Sequence, residues 1–132
     1  MTKCLIVDDD RDDQEIFLLC LSDIEAGIDC VAADDGIDAI ALLEGGYVPD
    51  YIFIDVNMPR MNGIDCLRIL KNMNQLQHSR IFMYSTTSEE ATLAESMKIG
   101  AEEFIVKPAR IADLRKKLAI IFNAIPEIAN TQ

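Results

Sequence analysis

Short apolar runs alternate along this chain with longer segments whose apolar residues recur at helical spacing. Residues 4–7, 30–33, 51–54, 81–84 and 104–106 read as strands; the third, Tyr-Ile-Phe-Ile, is apolar throughout, as a strand buried on both faces requires. The first run is followed by Ile16, Phe17, Leu19, Cys20 and Ile24 on a helix that Gly27 closes. Asp35-Gly36 reads as a turn, and Ile37, Ile40, Ala41 and Leu43 or Glu44 as a short helix ending at Gly45-Gly46. A third helix starts near Gly63 with Ile64, Leu67, Ile69 and Leu70 as its apolar positions. Ser88-Glu89-Glu90 marks the start of a fourth, whose buried side is Leu93, Met97 and Ile99 up to Gly100. The last helix sets Ile111, Leu114, Leu118, Ile121 and Phe122 against a basic side of Arg110, Arg115, Lys116 and Lys117. Five alternations of strand and helix predict a mostly parallel sheet covered by helices on both faces.

The residues that end the strands add chemistry to this outline. Asp8-Asp9-Asp10 follows the first strand, Asp55 the third, Ser85 to Ser88 the fourth and Lys107-Pro108 the fifth. In a parallel sheet these ends share one edge, where open α/β folds bind ligands, so acids, hydroxyls and an ammonium converge on one pocket. Pro59 keeps residues 55–62 in a loop leading to the third helix. Each group also has a local reading: Asp8-Asp9-Asp10 and Ser85 to Ser88 as helix caps, Asp55 as the start of a turn, Lys107 as a solvated strand end. Asp12 and Asp13 fall in the first turn of the first helix, where negative charge suits the helix dipole. The single histidine, His78, lies in a polar loop and reads as a surface residue.

Charge narrows the partners. A formal net charge of −11 disfavours a nucleic-acid backbone or an anionic membrane and suits a cation or a basic protein surface. Cys4, Cys20, Cys30 and Cys66 form no C-x-x-C pair and read as reduced, buried thiols, which points to the cytoplasm. No signal peptide or bilayer-length apolar segment is visible. At 132 residues the chain suits one domain, set at residues 1–125 with a tail at 126–132.

Clustered carboxylates repel one another unless a cation holds them, and oxygen-only ligation favours Mg²⁺. Asp8, Asp9 and Asp55 are the candidate ligands. Lys107 and Ser85 would complete a cradle for a phosphoryl group, which a carboxylate could attack to form an acyl phosphate.

The set Val7-Asp8-Asp9, Asp55-x-x-Met58-Pro59-x-x-Asn62-Gly63, Ser85-Thr86 and Lys107-Pro108 resembles the receiver domain of two-component response regulators over nearly the whole chain. The resemblance implies a flavodoxin-like sheet of order 2-1-3-4-5 with five helices. It implies a stand-alone module in which Asp55 takes a phosphoryl group from a sensor kinase's phosphohistidine, or within a phosphorelay, and signals to a downstream protein by altered contacts. Mg²⁺ would be held by Asp9, Asp55 and the Asn57 carbonyl, with Asp8 acting through water. Lys107 would pair with the phosphoryl oxygens, and Ser85 and Phe104 would move inward as a switch. Phe104 lacks the hydroxyl of the tyrosine common at that position; Thr86 is larger than the usual residue beside the site and would narrow access; Asn57 and Thr87 stand where hydrolysis is tuned. Such a protein is a signalling acceptor, catalysing at most its own phosphotransfer and dephosphorylation, and not an enzyme on other substrates. The surface of the fourth helix, fifth strand and fifth helix, a common partner site in the family, would be one place to dock. A haloacid-dehalogenase-type phosphatase would need a further acidic pair after a late strand, and none follows Lys107. A pseudo-receiver, an interaction module that never takes phosphate, would be marked by loss of an acid or of the lysine, and none is lost.

Overall fold

The structure is a computed structural model and describes residues 1–24 and 27–122. The tail placed at 126–132, and with it the domain end at 125, lies outside the described residues. In chain order the elements are β1 (Thr2–Val7), α1 (Arg11–Ser22), β2 (Ile28–Ala33), α2 (Gly36–Glu44), β3 (Tyr51–Ile54), α3 (Gly63–Lys71), a 3-10 turn (Asn74–Leu76), β4 (Arg80–Ser85), α4 (Glu90–Ile99), β5 (Glu103–Val106) and α5 (Ile111–Ile121). The strands form one parallel sheet in the order β2-β1-β3-β4-β5, the flavodoxin-like order that the resemblance implies. Among the described residues no helix is long and apolar enough to cross a membrane.

Strand alternation sorts the core into two layers. Leu5, Val7, Ile52, Ile54, Ile81 and Met83 pack with Ala39 and Leu43 of α2 and Ile64, Leu67 and Leu70 of α3. Cys4, Ile6, Phe53, Phe82, Tyr84 and Ile105 pack with Phe17, Cys20 and Leu21 of α1 and Leu114 and Leu118 of α5. In the second layer Phe53 stacks on Phe82 and meets Phe17 edge-on, both at a centroid spacing of 4.9 Å. Cys4, Cys20 and Cys66 are buried, Cys30 is half-buried, and all four are free thiols.

Several helix faces differ from the sequence pattern. The inward stripe of α1 is Gln14, Phe17, Cys20 and Leu21, with Ile24 buried just past its end; Leu19 falls off that stripe and is exposed. α2 begins one residue earlier than expected, because Asp35 caps it and Gly36 is its first residue, and Ile37 turns outward. α4 departs most. Leu93 and Met97 are exposed, and its one buried residue is Ser96, whose Oγ donates to the Thr92 carbonyl at 2.8 Å. The cap is Glu89, not Ser88, and its side chain makes no capping bond. Of the basic side of α5, Arg115 pairs with Asp23 of the α1 C-cap and Lys117 with Glu103 of β5, while Arg110 and Lys116 are exposed.

Candidate functional site

Register brings the strand ends together. Val7 of β1 pairs with Ile54 of β3, so the residues that follow, Asp8 and Asp55, lie side by side; the Asp55 N–H donates to the Val7 carbonyl at 2.9 Å. Ser85 pairs with Val106, and the Lys107 N–H donates to the Ser85 carbonyl at 2.8 Å. Continuing the strand alternation, Asp8, Asp55 and Lys107 fall on the α1/α5 side and Ser85 on the α2/α3 side.

The acidic run after β1 divides its work. Asp10 is the helix cap, its carboxylate accepting from the Asp12 and Asp13 N–H groups at 2.9 and 3.2 Å. Asp8 is fully buried, and its carboxylate accepts from the Asp10 N–H at 3.0 Å. Asp8, exposed Asp9 and buried Asp55 each offer a carboxylate oxygen, and the three oxygens lie within 4.8 Å of one another. Lys107 reaches in from β5: its Nζ lies 2.7 Å from Asp8, 2.8 Å from Asp13 and 3.4 Å from Asp55. Its ammonium is also 5.3 Å from the Tyr84 ring centroid, within cation–π range.

These contacts set the electrostatics. Burial pushes the Asp8 carboxyl up to about 6 against the lowering effect of Lys107 and the Asp10 N–H, with Asp55 adding to the rise. Burial alone would lower the Lys107 ammonium, but Asp13, Asp8 and Asp55 outweigh it and hold the group above its ordinary range. Asp13 therefore does more than complement a helix dipole, the one role the sequence suggests for it. The donor set is oxygen-only, with two buried carboxylates and one exposed, which suits a hard, partly hydrated cation such as Mg²⁺. A second observation on the opposite side concerns Ser85: its Oγ is buried and has no hydrogen-bond partner among the described residues. A buried hydroxyl left so is costly unless a ligand atom meets it.

The loop after Asp55 is pinned at three points. Gly63, the first residue of α3, approaches so closely that a Cβ there would lie 2.0 Å from the Asp55 carbonyl oxygen, and its N–H donates to the Val56 carbonyl at 2.7 Å. Asn62 caps α3 by accepting from the Asp65 N–H at 2.9 Å. Just before them the Met61 N–H reaches the Pro59 carbonyl at 2.7 Å around Arg60, whose φ of 67° lies in the left-handed region. The Arg60 guanidinium is clasped by Asp35, with Nε donating at 2.9 Å. Asp35 in turn caps α2, and the Asp38 N–H together with Arg60 holds its carboxyl below the usual range. The sequence pattern does not disclose this clasp, since Arg60 and Asp35 lie on different loops.

The remaining candidates lie at the margin. Asn57 is exposed two residues beyond Asp55, Thr86 is exposed and Thr87 half-buried just after Ser85, and Phe104 is half-buried against the α2/α3 core layer. His78 is exposed in an open polar depression with Asp50, Tyr51 and Arg80 at the strand starts, opposite the acids.

An open parallel sheet with an acid cluster and a lysine at its carboxyl edge is an α/β fold with a candidate ligand site where such folds bind their ligands, and comparison narrows the class. The response regulator receiver domain model matches residues 4–119, and the chain belongs to that family. The chemotaxis protein CheY-3 of Vibrio cholerae is 33% identical over 123 residues, covering 93% of this chain and 93% of that protein. The regulator of RpoS from Escherichia coli is 31% identical across 98% of this chain, which spans 37% of that longer protein. Among solved structures, the response regulator CheY4 of Vibrio cholerae aligns with a TM-score of 0.79 at 30% identity, covering 92% of this chain and 98% of that one. The Mn²⁺-bound response regulator Rcp1 aligns with a TM-score of 0.85 over 96% of this chain and 98% of that one; at 20% identity it shows the shared fold.

Proposed function

We propose that this receiver domain accepts a phosphoryl group on Asp55 from a phosphohistidine of a sensor kinase or phosphotransfer protein, and passes the signal to a downstream protein through altered contacts. The observation that carries the reading is the inventory at one sheet edge: Asp8, Asp9 and Asp55 gathered within 4.8 Å, with the Lys107 ammonium beside them. Asp55 supplies the nucleophilic oxygen. A P–O bond forms to it as the donor's P–N bond breaks, and the imidazole leaves with the electron pair. Asp8, Asp9, Asp55 and the Asn57 carbonyl are the groups that would hold Mg²⁺, which when bound offsets anionic charge on the phosphoryl oxygens. Lys107 supplies a second cation on the other flank, and Ser85 a hydroxyl donor for the modified state. Thr86 sets access, and Asn57 and Thr87 set the rate at which water removes the group. The phosphoryl charge, once held by Lys107 and Ser85, favours one arrangement of β4 and α4, and Phe104 on β5 follows it inward. α4 suits such a shift, because Ser96 is its one buried residue.

The test is intact-mass analysis after incubation with a small acyl-phosphate or phosphoramidate donor. One added phosphoryl mass that needs Mg²⁺ and vanishes in Asp55→Asn is the expected result. Absence of both the adduct and beryllofluoride binding would instead make the chain an interaction module that takes no phosphate.

A further inference from the structure

Lys107 has three carboxylate partners, and one of them stands outside the acid cluster. Asp8 and Asp55 belong to the set that could hold a cation, whereas Asp13 comes from the first turn of α1 and is half-buried against the ammonium. Asp13 lies closer to the ammonium than Asp55 does, at 2.8 Å against 3.4 Å. A divalent cation and an ammonium compete for the carboxylates of Asp8 and Asp55, so a separate carboxylate for the lysine relieves that competition. The same carboxylate also opposes Lys107 when it turns to a phosphoryl oxygen on Asp55, and adds negative charge beside an incoming anion.

We infer that Asp13 is a positioning residue acting through Lys107: it holds the ammonium closer to itself than to Asp55, which favours the cation and disfavours the phosphoryl group. Asp13 thus sets the balance between the unmodified, cation-loaded site and the phosphorylated one. This inference rests on Asp55 being the acceptor. It assigns Asp13 opposite effects on two ligands of one pocket. A residue that merely supported the fold would move both in the same direction.

The experiment measures two affinities on the full chain: Mg²⁺ alone by calorimetry, and beryllofluoride at saturating Mg²⁺ by the fluorine NMR signal of the bound form. Beryllofluoride bonds to an aspartate oxygen and presents fluorines where phosphoryl oxygens would sit. For Asp13→Asn the expected result is beryllofluoride binding tighter by about fivefold and Mg²⁺ binding weaker by about fivefold. Asp13→Ala should give the same split, and Asp13→Glu should restore the wild-type values. Asp12→Asn removes the same charge one residue away, from a side chain outside the Lys107 contacts, and should leave both affinities within about twofold. Shifts in one direction for both ligands, or Asp13 variants indistinguishable from Asp12→Asn, overturn the inference while leaving the acceptor reading intact. If the wild-type protein gives no bound fluorine signal, the acceptor reading falls and this inference falls with it.

Discussion

At the strand starts, Arg80 Nε donates to both Glu102 carboxylate oxygens at 2.9 and 3.1 Å and Nη2 donates to one of them, while Nη1 donates to the Tyr51 hydroxyl at 3.1 Å and the guanidinium covers the rings of Tyr51 and Phe82. Beside it Asp50 accepts from the Lys3 N–H at 2.8 Å and Ser79 donates to the Pro49 carbonyl at 2.7 Å. At the strand ends a single ammonium contacts three carboxylates, a fourth acid stands within reach, and the Ser85 hydroxyl meets no partner among the described residues. The same five strands thus carry one edge whose polar groups satisfy one another and one edge whose groups are left to be satisfied by a ligand. The first edge holds the fold. The second is tolerated because the rest of the molecule over-determines it, which is the usual cost of a site prepared for a charged ligand.

Substitutions can break this contrast. The largest effect is expected at Gly63, since any side chain there collides with the Asp55 carbonyl. Gly63→Ala should lower unfolding free energy by about 3 kcal/mol or more in urea titrations, and a loss below about 1 kcal/mol would mean that the α3 start is not pinned to the acceptor loop. Asp8→Asn should act in the opposite sense. Burial raises the Asp8 carboxyl in the folded state from 3.8 to about 6, so the folded chain binds this proton more tightly than the unfolded chain. Its contribution to stability is therefore present below about pH 4 and is lost as pH rises to about 6. At neutral pH without divalent cations, Asp8→Asn should gain about 1–2 kcal/mol, and the pH dependence in that window should flatten; the same variant should bind Mg²⁺ poorly. A variant destabilised at neutral pH would contradict the picture of a strained edge. The smallest effect belongs to the other edge. Arg80→Ala should cost about 1 kcal/mol, because the pair with Glu102 is half-exposed, and should leave Mg²⁺ affinity unchanged in the same calorimetry.

Much of the carboxyl edge is legible from the chain because one strand end after another breaks the apolar pattern with a group of distinct chemistry, and parallel pairing aligns those ends. Asp8, Asp55, Ser85 and Lys107 follow from that rule alone. Asp13 does not, since its contact with Lys107 joins positions 94 residues apart and depends on which side of the sheet α1 packs. Strand parity carried past Ile105 would have pointed Lys107 to the α1/α5 side, where the first turn of α1 waits. The Arg60–Asp35 clasp is hidden for a similar reason: the loops after β2 and β3 meet only once both strands have paired with β1. On α4 the apolar residues Leu93 and Met97 suggested a core face, but the helix turns the small Ser96 inward and leaves them exposed. Periodicity locates a stripe without saying whether the sheet or the solvent receives it.

The claim on which the account depends is that Asp55, among the acids crowded at this edge, carries the phosphoryl group. Borohydride reduces an aspartyl phosphate to the alcohol, so trapping the phosphorylated protein and reading its peptides by mass identifies the carrier. The account predicts homoserine at position 55 and unmodified aspartate at positions 8, 9 and 13. Homoserine at any of those three, with position 55 unchanged, would contradict it.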